Sequence, residues 1–284
     1  MKRILITGVT SGIGKALMHY FLDHGEEVIG VARDEEKIQS LRKTLSKKYE
    51  SKRIHLYRAD FSKMRDVKAM IAEVSNAFSD GLDALINNAA VFPHKKRITE
   101  DGFETQFQVN HLVPALLSFE MFPLLKKRLG RIITTSSDLH KKAKFDPDDL
   151  EGLKRYHPLR IYARTKLYNL LFTIALNDRY GEKIGLRAFA VHPGKVKTRI
   201  GEKGKRRLYG AVWRFFTRKA LPPHRVVFTY GLLVYEKDPK TIIPYFHRGQ
   251  PLRYSDVALN RDNVNRLFDE TAALLNIDPN EKLT

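Results

Sequence analysis

The 284-residue sequence contains no cysteine, which excludes disulfides, thiol catalysis and cysteine-ligated metal sites. It also lacks any uninterrupted apolar run near the roughly 20 residues that a membrane-spanning helix needs. The apolar run Ile4-Leu5-Ile6 follows Met1 so closely that a signal peptide or N-terminal anchor does not fit before it. These absences predict a cytoplasmic protein.

Metal-binding patterns are missing as well. The histidines show no H-E-x-x-H or comparable ligand spacing, so we predict no metal. Negative charge is scarce: 51 Lys and Arg face 32 Asp and Glu, a formal charge of +19. Such a field attracts nucleic acid, anionic membranes and phosphorylated ligands alike. Because no zinc-finger or basic-zipper pattern organises the charges, we expect a solvated basic surface and no nucleic-acid partner.

The composition and the hydrophobic pattern indicate one α/β domain. The 43% hydrophobic and 10% aromatic shares are typical of globular proteins. Short Ile-, Val- and Leu-rich runs alternate with longer amphipathic segments, which predicts a doubly wound parallel sheet with helices on both faces. We expect strands at 3–6, 27–32, 53–58, 84–87, 131–136, 186–192 and near 244–246. We expect helices near 13–24, 34–49, 63–78, 102–128, 161–180, 224–235 and 262–275.

Three details qualify this pattern. The helix at 102–128 contains Pro114 and Pro123, which predict a bend or a split. The stretches 138–160 and 195–223 fit no regular element. Ligands of open α/β sheets bind beyond the carboxyl ends of the strands, and long loops there are usually functional. We expect both stretches at the site.

A glycine-rich turn connects the first strand to the first helix in "ILITGVTSGIGKAL". Gly8 permits a tight turn, Gly12 allows the backbone to approach a pyrophosphate, and Gly14 allows the helix to pack on the strand. The helix N-terminus offers free N–H groups to phosphate. A glycine turn alone can be a mere connection, but its place as the first strand-to-helix turn favours a dinucleotide site.

The end of the second strand indicates which dinucleotide binds. NAD-binding proteins usually place a carboxylate there for the ribose 2′-hydroxyl. In "VIGVARD" Ala32 occupies that place and Arg33 follows, which favours NADP(H) over NAD(H) because a cation suits a 2′-phosphate. Two observations leave the alternative open: Arg33 begins a predicted helix, where it can simply be solvated, and Asp34 is adjacent.

The segment "IYARTK" places Tyr162 and Lys166 four residues apart, on one helix face. A neighbouring ammonium favours a phenolate, so the lysine is expected to lower the tyrosine pKa and to make it an acid–base catalyst. The spacing occurs often by chance, and other motifs have to support this interpretation.

Those motifs are present. "TGVTSGIG", "NNAA", Asn110, "TTSS", "YARTK" and "HPGKVKT" follow one another in the order and spacing of the short-chain dehydrogenase/reductase superfamily, which nearly the whole chain resembles. Within it, the segment 136–176, with its long serine-to-tyrosine loop, and the region 245–255 are similar to the retinol-dehydrogenase-like branch, with the WW-domain oxidoreductase and protochlorophyllide reductase relatives. The missing anchor and the basic loop depart from membrane-bound retinol dehydrogenases, so the resemblance supports cofactor and chemistry better than a retinoid substrate.

The resemblance implies a catalytic set and a cofactor set within a single NAD(P)-binding Rossmann-fold domain over 1–284. The implied catalytic residues are Asn110, Ser137, Tyr162 and Lys166. Spacing alone leaves Ser136 as an alternative to Ser137. The implied cofactor residues are Gly8, Ser11, Gly12, Ile13, Gly14, Arg33, Asp60, Asn87, Tyr162, Lys166, Pro193, Val196 and Thr198. Asp60 could instead cap the next helix, and His192 is interpreted as a packed residue rather than a base.

We therefore expect an NADP(H)-dependent oxidoreductase that acts on the carbonyl or alcohol carbon of an apolar small molecule. The alternative is an NADP(H)-binding regulatory or interaction protein with little turnover; a nucleic-acid protein is motivated by charge alone. The segment 203–221 mixes aromatic and basic residues, so it is either a lid in the insertion near 195–223 or a peripheral membrane contact. The family resemblance also implies a homo-oligomer.

Overall fold

A single eight-stranded sheet organises the chain. The computed structural model describes residues 1–181, 185, 187–196, 220–236 and 244–283. Within them the strand order is β3-β2-β1-β4-β5-β6-β7-β8, and every neighbouring pair is parallel except β7 and β8. In chain order the strands are Arg3–Thr7, Glu27–Ala32, Ile54–Arg58, Ala84–Asn87, Arg131–Thr135, Arg187–Val191, Tyr245–His247 and Gln250–Pro251.

Helices connect these strands and cover both faces of the sheet. In chain order they are α1 Gly12–Asp23, α2 Glu35–Leu45, α3 Met64–Ala77, α4 Thr105–Phe107, α5 Val113–Glu120, α6 Phe122–Lys127, α7 Pro158–Leu176, α8 Val227–Tyr235, α9 Asp256–Leu259, α10 Arg261–Leu274 and α11 Pro279–Lys282. None of the described helices is long and apolar enough to cross a membrane. The predicted fold class is confirmed.

Side-chain alternation along the strands divides the core into two layers. Leu5 packs in one cluster with residues of α3, α5, α7 and α10, whereas Ile4 and Ile6 pack in the other with residues of α1, α2 and α8. Successive strand residues point to opposite faces, so one buried strand can supply both cores. Strands β2 and β3 lie on one side of β1, and strands β4 to β8 lie on the other side. The strand order therefore reverses after β3, and the crevice between β1 and β4 is a topological switch point.

The segment predicted as one bent or split helix at 102–128 forms α4, a π-helical turn, α5 and α6 in succession. Pro114 lies in the first turn of α5 and Pro123 in the first turn of α6, and the α5–α6 break falls at Met121. A π-helical turn, Gln108–Leu112, precedes α5 and was not predicted. The stretch at 138–160 also contains two short 3₁₀ helices, Asp138–Lys142 and Pro147–Asp149. Strand β8 was missed because two residues are too few to show a period.

Candidate functional site

The glycine turn has the backbone geometry that its sequence predicts. Gly8 and Gly12 have φ values of +79° and +55°, in the region that favours glycine. A Cβ added to Gly14 would lie 2.3 Å from the main-chain oxygen of Gly8. Ser11 precedes α1 in an extended conformation, is exposed and makes no side-chain capping hydrogen bond. The hydroxyl and the N-terminal N–H groups of α1 therefore face a position where an anion can bind. Ile13 is buried in the core behind the turn.

Asn88, rather than Asn87, lies beside this turn. Its Nδ2 donates to the Thr7 oxygen at 2.9 Å, and its main-chain N–H donates to the Thr7 hydroxyl oxygen, also at 2.9 Å. The amide of Asn87 points away, donating to the oxygens of Pro114 and Ser118 in α5 at 3.2 and 3.3 Å. The sequence motif predicted an asparagine at this strand end. Successive side chains along β4 point to opposite faces of the sheet, and this alternation decides which of the two adjacent amides contacts the turn.

Arg33 follows β2 at the same edge of the sheet. Its side chain is exposed, whereas the Asp34 carboxylate accepts from the main-chain N–H of Lys37 at 3.2 Å and pairs with the Lys37 ammonium. Asp34 thus caps α2. A second cation, Arg58, ends the neighbouring strand β3 and donates through Nε to the Arg33 oxygen at 3.4 Å. Sequence reasoning missed Arg58, although its place at a strand end was a usable signal.

Asp60 forms a local turn just beyond β3. Its carboxylate accepts from the main-chain N–H of Ser62 at 3.0 Å and from the Ser62 hydroxyl at 2.8 Å. The carboxylate that bonds the first residue of α3 belongs to Asp101, which accepts from the Met64 N–H at 2.9 Å. Asp60 is therefore not the direct cap of that helix, which was its alternative role.

Tyr162 and Lys166 lie on the same face of α7. The Lys166 nitrogen is 5.3 Å from the centre of the Tyr162 ring, and it donates to the Thr135 main-chain oxygen at 2.9 Å. Lys166 is only 2% exposed. The ring of Phe92 stands perpendicular to that of Tyr162 at 5.5 Å. Lys166 thus contacts the end of β5, and Tyr162 contacts the ring of Phe92.

The ionisation of this pair differs from the sequence-based expectation. Burial raises the pKa of Tyr162 to about 12 and lowers the pKa of Lys166 to about 8. Both charged forms are penalised by loss of water. The expectation of a lowered tyrosine pKa is wrong for this structure, because burial disfavours the phenolate and raises the pKa instead. At neutral pH Tyr162 is a phenol that can donate a proton.

The two adjacent serines have different surroundings. Ser136 is 2% exposed, and its hydroxyl donates to the Lys166 main-chain oxygen at 2.7 Å. Ser137 is half-buried, and its hydroxyl oxygen accepts from the Leu139 N–H at 3.3 Å. The Ser136 proton is committed to joining β5 and α7, whereas the Ser137 proton is not used by that bond. The geometry favours Ser137 over Ser136 as the group that meets a ligand.

Asn110 lies fully buried in the π-helical turn. Its side-chain oxygen accepts from the Val91 N–H at 2.8 Å, and its Nδ2 donates to the Val91 oxygen at 3.0 Å. Nδ2 also lies 3.5 Å from the Thr165 hydroxyl, next to Lys166 in the chain. Asn110 thus fixes the loop after β4 against α7. π-turns of this kind occur frequently at functional sites.

The loop after β6 completes the candidate site. Pro193 is half-buried, and Val196 is buried and bridges Leu221, so the two described ends of the 195–223 stretch pair with each other. Thr198 and nearly all of 203–221 lie outside the described residues. His192 accepts through Nδ1 from the N–H groups of Asp138 and Gly194, each at 3.3 Å. Across the described ranges, no group of three or more His, Asp or Glu side chains could hold a metal.

Comparisons with known proteins agree with this arrangement. Residues 2–207 match the family model of the short chain dehydrogenases. Retinol dehydrogenase 12 of Mus musculus is 32% identical over 281 residues, which cover 97% of this chain and 87% of the relative. Retinol dehydrogenase 14 of Homo sapiens is 36% identical over 214 residues, covering 70% and 63% respectively. A crystal structure of an uncharacterised protein from Mycobacterium paratuberculosis superposes with a TM-score of 0.74 at 26% identity, covering 98% and 94%.

Proposed function

The chain belongs to the short-chain dehydrogenase family and is therefore an oxidoreductase that uses a nicotinamide cofactor, and we propose that it is NADP(H)-dependent and acts on an apolar carbonyl or alcohol. The observation that carries this proposal is the pair formed by half-buried Tyr162 and buried Lys166 on one face of α7, with Lys166 bonded to the Thr135 oxygen, two residues before Ser137. A binding or regulatory protein would not need a buried lysine whose pKa is lowered to about 8 next to a tyrosine.

The residues at the glycine turn fit a dinucleotide. A Cβ on Gly14 would collide with the turn, and the N-terminus of α1 has no side-chain cap from Ser11. In the proposal the pyrophosphate contacts Gly8, Ser11, Gly12, Ile13 and Gly14. Asp60 would contact the adenine, and Pro193, Val196 and Thr198 would contact the nicotinamide end. Near the adenine ribose we replace the predicted Asn87 by Asn88, because the Asn87 amide is bound to α5. When bound, the nicotinamide supplies the hydride in reduction and accepts it in oxidation.

The end of β2 supports NADP(H). The Arg33 side chain is exposed, and Arg58 lies close enough to donate to its main-chain oxygen at 3.4 Å. The Asp34 carboxylate, next to Arg33, is bound to the N-terminus of α2 and to Lys37. Two guanidinium groups and a committed carboxylate favour a 2′-phosphate over a free ribose hydroxyl.

Proton transfer is assigned to Tyr162. In reduction its phenol donates a proton to the carbonyl oxygen, and in oxidation its phenolate accepts one. The Ser137 hydroxyl hydrogen-bonds the same oxygen and stabilises the charge that develops on it. Lys166 would hydrogen-bond the nicotinamide ribose, and its pKa of about 8 suits it to return a proton to Tyr162. Asn110 would join the lysine through a water-mediated proton path.

Apolar groups around the pair support an apolar substrate. Phe92 forms a perpendicular ring contact with Tyr162. Half-buried Val91 and Leu139 lie close in sequence to Phe92 and Ser137, respectively. Named retinol dehydrogenases among the relatives make retinal one reasonable test compound. The lid near 195–223, the membrane contact through 203–221, the single-domain organisation, the cytoplasmic location and the homo-oligomer stay predictions of the sequence.

The test is NADPH oxidation across a panel of aldehydes and ketones that includes retinal, with NADH as the comparison cofactor. We expect turnover with NADPH, and Tyr162→Phe should reduce it by about 10²–10⁴-fold with NADPH affinity retained. Tyr168→Phe is the matched control, because it removes a buried hydroxyl of the same helix that bonds the Leu150 oxygen at 3.0 Å. Tight NADPH binding without turnover on any compound would favour the regulatory alternative.

A further inference from the structure

Two histidines hold the peptide group that follows the proposed catalytic serine. The Ser137 carbonyl oxygen is 2.8 Å from Nδ1 of His140, and the N–H of Asp138, in the same peptide group, lies 3.3 Å from Nδ1 of His192. Both polar ends of one peptide are therefore bound by imidazoles. A peptide fixed at both ends fixes the direction of the Ser137 Cα–Cβ bond, on which the position of its hydroxyl depends.

The partners of His140 determine where its proton lies. A carbonyl oxygen can only accept, so Nδ1 carries the proton that reaches Ser137. Nε2 accepts from the N–H of Ser255 at 3.2 Å, and its ring packs on the edge of Tyr245 at 5.0 Å. The ring must be neutral to make both bonds. His140 thus joins the Ser137 turn to the segment that follows β8.

His192 has the opposite tautomer. Its Nδ1 accepts from two main-chain donors, Asp138 and Gly194, so the proton lies on Nε2. Its ring stacks on His247 at 4.6 Å, and Nδ1 of His247 donates to the His192 oxygen at 2.8 Å. His192 therefore connects the serine turn to the loop after β6, and His247 holds His192 in place.

We propose that His140 and His192 form an imidazole clamp that orients Ser137 for the reaction, with both rings acting as positioning residues in opposite neutral tautomers. The inference rests on the proposed function, because it concerns how well Ser137 meets the reacting oxygen. Neither ring is assigned a proton-transfer step. Acting through the main chain, the clamp affects the rate rather than the identity of the cofactor.

Burial, more than the surrounding charges, favours the neutral form of both rings of the clamp. Burial is the largest cause that lowers the pKa of His192, to about 4, and His247, His140 and Lys141 lower it further while Asp138 opposes them. Burial also lowers the pKa of His140, whereas the hydrogen bond to the Ser137 oxygen and the charge of Asp138 act to raise it. Because both pKa values are depressed, the clamp is intact above the ordinary histidine pKa and is lost as the pH falls through the lowered values.

The first experiment reads the tautomers directly in the full chain. With ¹⁵N-labelled histidine, long-range proton–nitrogen correlations should assign His140 as the Nδ1–H form and His192 as the Nε2–H form, with the pKa of each ring below the ordinary histidine value. An Nδ1–H form of His192, or a titration near the ordinary value of about 6.5, would overturn the proposal. This measurement does not depend on a substrate, so it separates the clamp from the proposed function.

The second experiment compares two substitutions of one ring. His192→Asn keeps an acceptor at the position of Nδ1 and cannot be protonated there, whereas His192→Leu has no acceptor. We expect kcat of His192→Leu to fall by about 10–100-fold and that of His192→Asn to stay within about threefold of the wild type, because the amide oxygen can accept the same two hydrogen bonds. His19→Leu is the control, a half-buried histidine of α1 that bonds the Tyr49 hydroxyl at 3.2 Å.

Equal activity of the Leu and Asn variants would overturn the clamp, whether both are impaired or both are unimpaired. If the Leu variant does not fold, the Asn variant and the tautomers decide, since the proposal requires near-normal kcat in the first and opposite tautomers in the wild type. A wild type with no turnover on any compound would count against the proposed function, and the tautomers would still test the clamp.

Discussion

The side-chain nitrogen of Lys166 lies over the ring of Tyr162, 5.3 Å from its centre, and its hydrogen bond goes to the Thr135 main-chain oxygen instead. The lysine therefore holds α7 to the end of β5 and at the same time lies next to the tyrosine. Lys166 is buried and Tyr162 is half-buried, and their surroundings disfavour the charged form of each side chain. Such a pair is costly for folding, because the loss of water is not fully compensated.

The first prediction concerns the cost of burying Lys166. Lys166→Met should raise the free energy of unfolding by about 1–3 kcal/mol at pH 7, because an apolar chain of similar length avoids the buried ammonium. Turnover should be lost. The folded-state pKa of about 8 lies below the ordinary lysine value. The unfolded chain thus binds more protons between these values, and wild-type stability rises with pH there.

The advantage of the Met variant should accordingly shrink as the pH rises from about 8 towards about 10.4, the ordinary lysine pKa. Urea unfolding of both proteins at pH 7, 8.5 and 10 measures this. Lys68→Met changes an exposed lysine on α3 and should alter stability by less than about 0.5 kcal/mol at every pH. A constant difference between wild type and Lys166→Met across the series would contradict the lowered pKa.

The second prediction separates the two serines. Ser137→Ala should lower kcat by about 10²–10³-fold, since it removes a donor to the reacting oxygen, with little loss of stability. Ser136→Ala should cost about 1 kcal/mol of stability, because the Lys166 oxygen loses its partner at 2.7 Å. Its effect on kcat should be smaller. Steady-state kinetics and thermal unfolding of both variants test the assignment, and a larger kcat loss in Ser136→Ala would reverse it.

Much of the fold and of the candidate site can be predicted from the sequence. Strands such as Glu27–Ala32 and Ala84–Asn87 are bounded correctly, because buried parallel strands are continuous apolar runs between turn residues. The Tyr162–Lys166 face follows from helical spacing alone. The motif order resembling the short-chain dehydrogenases located Ser137 and Asn110, and the family is confirmed by the match over residues 2–207.

Other features depend on contacts between distant segments. The π-turn at Gln108–Leu112 forms where Asn110 binds the main chain of Val91, 19 residues earlier. His192 accepts from Asp138, 54 residues away, so the sequence showed a packed histidine without its partner. The tyrosine pKa was predicted in the wrong direction because the lysine is a local neighbour, whereas burial is produced by the whole fold.

The third prediction concerns cofactor choice. Arg33→Ala should raise the Kd for NADPH by about 10–100-fold, because it removes one or two charge-assisted hydrogen bonds to the 2′-phosphate. Affinity for NADH should change by less than about threefold, because NADH has no group for this guanidinium to bind. Fluorescence titration with each cofactor measures the two values. Arg65→Ala, an exposed arginine on α3, is the matched control. Equal weakening of both cofactors would contradict a role at the 2′-phosphate.

The fourth prediction concerns Gly14. Its added Cβ would lie 2.3 Å from the Gly8 oxygen and 2.7 Å from Asn88 Nδ2, and neither atom can move without shifting the glycine turn. Gly14→Ala should therefore lower stability by about 1–3 kcal/mol and weaken NADPH binding by at least about tenfold. Calorimetry and cofactor titration report the two effects.

Gly25→Ala is the informative comparison, because it lies just past the opposite end of α1. Its φ of +83° makes alanine strained, but no atom lies within 4 Å of the added Cβ. This variant should lose about 1 kcal/mol or more of stability through backbone strain, while NADPH affinity stays at the wild-type value. A loss of cofactor affinity in Gly25→Ala as large as in Gly14→Ala would mean that binding follows the stability of α1 rather than the shape of the turn.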